Sequence, residues 1–202
     1  LKKNFLELDV ALDSINLSRV GSFVVGQSRL NSYLNRINPD VIHTQGIRAD
    51  VLSSRLNQYP GRISSLRNVP IVDYQLLYGK VLGFTMSWLH YAALRKIPRV
   101  IACSDTIGIH GEKRRVKVDV IRNGVDLSKG QKIVSSENKL TIRNNLKIPD
   151  TQKMFVCACP IIQRKSPELL IEAFAPIDSH NIANLLVLGA GSLLDHCRRE
   201  AA

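Results

Sequence analysis

The chain has 202 residues and a mass of 22.5 kDa, room for one ordinary domain or two small ones. Apolar residues make up 45% and charged residues 22%, close to globular averages, which argues against a disordered or fibrous chain. Lys and Arg number 28 against 17 Asp and Glu, a formal net charge of +11 that favours polyanions, phosphorylated ligands or an anionic membrane surface, and equally fits a solvated basic face.

Residues 23–34 read as a helix, preceded at 16–21 by loop. From about residue 40, short β-branched runs alternate with helix-length amphipathic segments, the rhythm of a parallel α/β sheet. Residues 40–45 form the first expected strand, 48–58 a helix, and 62–66 the next strand after the Pro60-Gly61 break. A long helix is expected over 75–96 and a strand over 99–103 behind Pro98, with Ser104 as N-cap of a short helix. Residues 116–121 alternate as a strand, and the polar stretch from Asp126 to about residue 138 marks the boundary between two domains, 1–125 and 126–202. The second domain is expected to hold a helix at 139–146, a buried strand at 154–159, a helix at 166–177, a strand at 185–188 and a helix from 192. There is no fixed-period repeat and no low-complexity tract.

No run reaches the ~20 uncharged apolar residues of a spanning helix; residues 81–94 come nearest and stop short. The start, Leu1-Lys2-Lys3-Asn4, lacks an initiator methionine and the apolar stretch of a secretory signal, and reads as an internal cut. Cys103, Cys157, Cys159 and Cys197 have no CxxC spacing, and three of them sit in apolar runs, as reduced thiols of a cytoplasmic protein would. His43, His90, His110, His180 and His196 are scattered, so no metal site is expected.

Ligands of open parallel sheets bind outside the carboxyl ends of the strands, and four features fall there. Gln163-Arg164-Lys165-Ser166-Pro167-Glu168 leaves a strand with two cations and enters a helix, with Ser166 as N-cap and Pro167 at the first helical position. Cations beside free helix N–H groups make a phosphate site, although an ordinary capped helix after a basic loop fits as well. Gly189-Ala190-Gly191 after 186–188 allows close backbone approach to a phosphate, or simply a tight βα turn. As a dinucleotide signal it is weak, because Leu194 stands where a third glycine belongs. Asn123-Gly124-Val125-Asp126 is a common turn. Arg67, Asn68, Asp73, Tyr74 and Tyr78 cluster between a strand end and a helix, where they either meet a polar acceptor or cap the helix. Residues 81–94, with Phe84, Met86, Trp88 and Tyr91 and basic Lys80, Arg95 and Lys96 at the ends, fit a buried sheet-packing helix better than one lying on an anionic membrane, because the segment is apolar nearly all round.

Taken in order, Pro39-Asp40-Val41-Ile42-His43-Thr44-Gln45-Gly46, Arg67-Asn68-x-Pro70 with Asp73-Tyr74, Cys103-Ser104, Ile121-Arg122-Asn123-Gly124-Val125-Asp126, Arg164-Lys165 before Leu169-Leu170-Ile171-Glu172-Ala173-Phe174, and Leu186-Val187-Leu188-Gly189-x-Gly191 resemble the retaining glycosyltransferases of family 4. The resemblance spans residues 35–200. It implies a GT-B type α/β fold, parts of two Rossmann-like domains with parallel sheets, the amino-terminal one for the acceptor and the carboxy-terminal one for a nucleotide-diphosphate sugar. It also implies that Arg164, Lys165, Gly189 and Gly191 bind the donor diphosphate, and that His43, Arg67, Asn68 and Asp73 lie on the acceptor side. The implied reaction moves a sugar, with retention and without a divalent metal or further cofactor, from the nucleotide sugar to a saccharide or lipid-linked acceptor in cell-surface polysaccharide or glycolipid assembly. The implied place is the cytoplasm, peripheral on the inner face of the plasma membrane.

The departures are specific. Arg67 stands where many relatives carry a histidine, and Pro160 where an arginine usually precedes the Lys165 loop. The paired glutamates that contact the donor sugar and the glycine-rich first strand are not in the sequence. Catalytic residues are therefore unassigned, and the chain is expected to be the middle of a longer transferase. The alternatives are an inactive truncated relative or a non-catalytic basic module for nucleotide or nucleic acid. Nucleic acid is disfavoured, since aromatic and basic residues do not interleave on one sheet face and no recognition motif occurs.

Overall fold

The structure, a computed structural model, describes residues 10–15, 25–126, 136–149, 151–178 and 182–201. The chain forms two compact units, Leu1–Gly124 and Val125–Ala202. The loop expected at 16–21 lies outside the described residues.

The first unit runs α1 (Gly26–Ile37), β1 (Ile42–Thr44), α2 (Ile47–Ser53), β2 (Arg62–Leu66), α3 (Pro70–Tyr78), α4 (Lys80–Leu94), β3 (Arg99–Ala102), α5 (Asp105–Glu112) and β4 (Val118–Val120). The four strands make one parallel sheet in chain order, with Ile42 opposite Arg62, Ser64 opposite Val100, and Val100 opposite Val118. Parallel neighbours need a crossover, and the helices between the strands supply it. Because strand side chains alternate, Arg62, Ser64 and Leu66 turn to one buried face of β2. There Leu66, Val100 and Ala102 pack with Tyr91, Leu94 and Ile97 at the end of α4, and with Ile107 and Val116. Each large side chain so buried contributes roughly 1.5–3 kcal/mol. The buried Arg62 guanidinium is satisfied by carbonyls, its Nη1 donating to Ser53 at 2.8 Å and its Nε to Tyr59 at 2.9 Å.

Two expected helices change length. The one expected over 48–58 stops at Ser53, where the Ser54 hydroxyl donates to the Val51 carbonyl and the Ser53 carbonyl accepts from the Leu56 N–H in a tighter turn and from Arg62. The one expected over 75–96 is two helices, α3 and α4, joined at Gly79 with φ 79 and ψ 171, a conformation open to glycine alone. Pro70 at the first helical position starts α3 five residues earlier than the apolar pattern alone indicates. Ser104 does cap α5, accepting from the Ile107 N–H at 3.4 Å.

A buried polar chain ties these helices to the sheet. The Thr44 hydroxyl donates to Asp50 Oδ1 at 2.5 Å, His90 Nε2–H donates to Asp50 Oδ2 at 2.8 Å, and the Tyr74 hydroxyl donates to His90 Nδ1 at 2.9 Å. Burial and the Asp50 charge push the Tyr74 phenol well above its usual range, which keeps it a donor. Helix α4 meets this chain and the core through one face, while Val81, Phe84 and Trp88 on the other remain exposed. The expectation of a wholly buried sheet-packing helix therefore holds for one face only.

The second unit runs α6 (Ser136–Asn145), β5 (Lys153–Ala158), a 3₁₀ turn at Gln163–Lys165, α7 (Pro167–Asp178), β6 (Ala183–Leu188) and α8 (Leu194–Glu200). β5 and β6 pair in parallel, from Lys153 opposite Ala183 to Ala158 opposite Leu188. The strand expected to be buried is largely open, with Phe155 and Val156 46% and 58% exposed. Among the described residues β5 has β6 as its one strand partner, and Phe155 finds cover edge-on against Phe174 of α7. Ser166 occupies the expected position before Pro167, but in a left-handed conformation, φ 47 and ψ 53, that closes the 3₁₀ turn instead of the extended geometry of an ordinary N-cap.

Candidate functional site

In each unit the chemistry-bearing residues gather at the carboxyl edge of the sheet. In the first, the chain leaves β2 through Arg67 and Asn68 and enters α3 at Pro70. The Asn68 side-chain amide donates to the Asp73 carboxylate, so these two candidates form one polar unit in the first turn of α3. Arg67 is exposed, and its carbonyl accepts from the Cys103 thiol at 3.6 Å. His43 is one strand away on β1, where its Nε2 lies 2.7 Å from Ser65 Oγ. Its partner is thus a serine of the neighbouring strand rather than Asn68 or Asp73.

Two contacts here escaped sequence reasoning. Ser65 shares a face with His43 because the parallel register sets His43 opposite Ile63 and side chains two apart point the same way. Arg122, in the irregular segment after β4, donates to Asp105 Oδ2 from Nη2 at 2.5 Å and from Nε at 3.2 Å, which ties the end of β4 to the first turn of α5. The same bond raises the Arg122 pKa.

In the second unit, two loops lie side by side. Cys159 N–H donates to the Leu188 carbonyl at 3.0 Å, Ile161 N–H to the Ala190 carbonyl at 3.0 Å, and Leu193 N–H to the Ile161 carbonyl at 3.1 Å. A Cβ on Gly189 would stand 2.0 Å from the Cys159 carbonyl oxygen, and one on Gly191 2.1 Å from that of Ile161. Glycine is therefore required at both positions by the neighbouring backbone. Arg164 and Lys165 project from the 3₁₀ turn that follows, both exposed, directly before the first turn of α7. The structure thus brings Arg164, Lys165, Gly189 and Gly191 together in adjacent loops.

A thiol pair that sequence reasoning passed over lies just below. Cys157 of β5 and Cys159, just past its end, hold their sulfurs at 3.6 Å. The hydrogen bond to Cys159 is the main cause that raises the Cys157 pKa, and burial adds to it. The charge of Lys165 acts the other way. Among the described residues no group of three or more His, Cys, Asp or Glu side chains is arranged to hold a metal ion.

No protein-family model matches the sequence. No curated protein matches it either. Solved structures do match in fold. HepE of Anabaena, determined in complex with UDP, superposes with a TM-score of 0.73 at 15% identity, over 98% of this chain and 53% of its own. A glycosyltransferase from Rickettsia africae gives 0.67 at 15% identity over 99% and 52%, and sucrose-phosphate synthase from Thermosynechococcus elongatus 0.65 at 18% over 91% and 47%. The chain spans about half the length of these proteins. The likeness is one of fold: an α/β architecture with parallel sheets, as in GT-B glycosyltransferases. Among the described residues no helix is long and apolar enough to cross a membrane.

Proposed function

We propose that the chain is part of a family 4 glycosyltransferase that moves a sugar, with retention, from a nucleotide-diphosphate sugar to a saccharide or lipid-linked acceptor in cell-surface polysaccharide or glycolipid assembly. Its place is the cytoplasm, at the inner face of the plasma membrane. The observation that carries this is the exposed pair Arg164 and Lys165 on the turn directly before α7, at the carboxyl edge of β5 and β6, in a fold whose neighbour HepE was solved with UDP and with UDP and glucose.

The donor diphosphate lies against Lys165, Arg164 and the first N–H groups of α7, where cations and the helix amino terminus favour negative charge. As the glycosidic bond to the diphosphate breaks, charge growing on the leaving group meets the same groups, which stabilises the transition state more than the ground state. Those cations take the place of a divalent metal. His43, Arg67 and the Asn68–Asp73 pair form the acceptor side.

Calorimetric titration of the chain with UDP, ADP and GDP tests this. One nucleobase is expected to be preferred, and Lys165→Ala to weaken its binding by about 10–150-fold, the worth of one charge-assisted contact. Unchanged affinity in Lys165→Ala refutes the site. Steeply salt-dependent binding without nucleobase preference supports a basic binding module instead.

A further inference from the structure

The transferase reading leaves a reactive feature of the second unit without a task. Cys157 of β5 and Cys159, just past its end, hold their sulfurs 3.6 Å apart, and both side chains are half-buried rather than part of the core. Packing alone therefore gives little reason for two thiols at that place. Two sulfurs are half of a tetrahedral zinc set, and among the described residues no group of three or more His, Cys, Asp or Glu is arranged to hold a metal ion. The chemistry left to two neighbouring thiols is their own oxidation.

A disulfide between them is within reach, at a cost. Residues two apart on a strand are separated by roughly 6.4–6.8 Å, two rises of about 3.2–3.4 Å, whereas disulfides join Cα atoms about 4.4–6.8 Å apart and most often ~5.5–6 Å. Bringing the sulfurs from 3.6 Å to the ~2.05 Å of a bond therefore asks the chain to shorten. Cys157 is held in register opposite Val187, so Cys159, where the strand has ended, is the residue that gives. Its N–H donates to the Leu188 carbonyl at 3.0 Å, and its carbonyl oxygen fills the space a Gly189 side chain would need. Two residues on, Ile161 donates to the Ala190 carbonyl and accepts from Leu193. A pull at Cys159 thus acts on the bonds that hold the loop before Arg164 and Lys165 to its neighbour.

We propose that Cys157 and Cys159 are a reversible redox pair, which a low-molecular-weight disulfide closes to a strained disulfide and which, by drawing Cys159 toward Cys157, loosens the stitched loops at the carboxyl edge of β5 and β6. One cysteine, as thiolate, attacks a sulfur of the small disulfide and expels one thiolate. The second cysteine gives its proton to solvent, attacks the mixed disulfide so formed and expels the other thiolate. The two cysteines are oxidised by two electrons, and the small disulfide is reduced to two thiols that take up the two protons. A strained disulfide is readily reduced, so the pair rests as thiols in a reducing compartment and closes under oxidative load. The redox pair does not depend on the transferase reading, which enters only in what loosening those loops does to a nucleotide diphosphate at Lys165.

Trypsin reads the bond directly, because no Lys or Arg lies between Lys153 and Arg164 and both cysteines fall in one peptide, residues 154–164. The chain is equilibrated with oxidised and reduced glutathione at mildly alkaline pH, since the hydrogen bond to Cys159 raises the Cys157 pKa, then alkylated and mapped. Amide hydrogen exchange and UDP binding are measured on the same preparations. The expected peptide has lost two hydrogens and takes up no alkylating agent, and dithiothreitol restores both thiols. Cys157→Ser and Cys159→Ser should each leave a glutathione adduct instead. In the oxidised chain the Ile161 and Leu193 amides should exchange about tenfold faster or more, while those of β3 in the first unit keep their rates. A parent peptide that keeps two alkylatable thiols, a glutathione adduct on it with no internal bond, or a closed disulfide with unchanged loop exchange overturns the proposal. If the reduced chain binds UDP and no disulfide closes, the redox pair alone fails. If the disulfide closes and loosens the loops but neither form binds a nucleotide, the transferase reading alone fails.

Discussion

Replacement of His90 by leucine tests the buried chain that fastens α4 to the sheet. His90 and Asp50 are each 1% exposed, 40 residues apart in sequence, and meet at 2.8 Å. Leucine fills similar space but takes away the donor to Asp50 and the acceptor of the Tyr74 hydroxyl. A hydrogen bond to a charged group is worth about 1.5–3 kcal/mol and a stranded buried hydroxyl costs about 1–3 kcal/mol. Together these come to about 2.5–6 kcal/mol. For a chain of this length His90→Leu should therefore unfold roughly 10–15 °C below the parent. Circular dichroism during thermal and urea unfolding measures it. Asp50→Leu added to His90→Leu removes the stranded carboxylate, so the double variant should recover a large part of the loss. A single variant within about 1 kcal/mol of the parent, or a double variant no better than the single, refutes the view that the buried Asp50–His90–Tyr74 hydrogen bonds fasten α4 to the sheet.

Two further outcomes follow from packing around the same helices. Burial raises the Tyr91 pKa, with Arg114 acting weakly against it, and the Tyr91 hydroxyl has no hydrogen-bond partner among the described residues. The folded state thus keeps a proton that the unfolded chain releases near pH ~10, so the contribution is full below that pH and falls by about 1.4 kcal/mol per pH unit above it. Tyr91→Phe should match or slightly exceed the parent at neutral pH and flatten the alkaline limb of urea-unfolding stability, and an unchanged limb would count against it. Gly83→Ala gains intrinsic helix propensity of about 1 kcal/mol, but its methyl would meet the Tyr74 and Gln75 backbone at 2.5 Å. Overpacking of ~1–3 kcal/mol should win, lowering the melting temperature; a rise would show that α3 and α4 are not in that close contact.

The parallel sheet rhythm was legible because β-branched runs and Pro-Gly breaks report local backbone preference, and Ser104 because capping acts over three residues. What was missed depends on encounters that spacing does not encode. Gly79 sits inside an apolar run that extends through both α3 and α4, so hydrophobicity alone reads one helix where backbone conformation makes two. Burial of β5 was misjudged because an apolar strand looks the same whether or not both its edges and faces are covered. Asp50 and His90, or His43 and Ser65, become partners only once helix α2 and strand β1 have been placed against elements 20 to 40 residues away.

The Gly189–Gly191 turn illustrates how structure changes the weight of a motif without moving it. In sequence, glycine beside a strand end is explained equally by a phosphate that needs close approach and by a tight turn. The structure supplies a sufficient cause for both glycines, the carbonyls of Cys159 and Ile161 that occupy the space of a side chain. Their presence then carries little independent weight for a ligand. Arg164 and Lys165 are different, because exposed cations on a short turn before a helix contribute little to packing, and the helix start they precede already favours negative charge. The case for a diphosphate therefore rests on the cations, while the glycines explain why the loop that bears them can be stitched so closely to its neighbour.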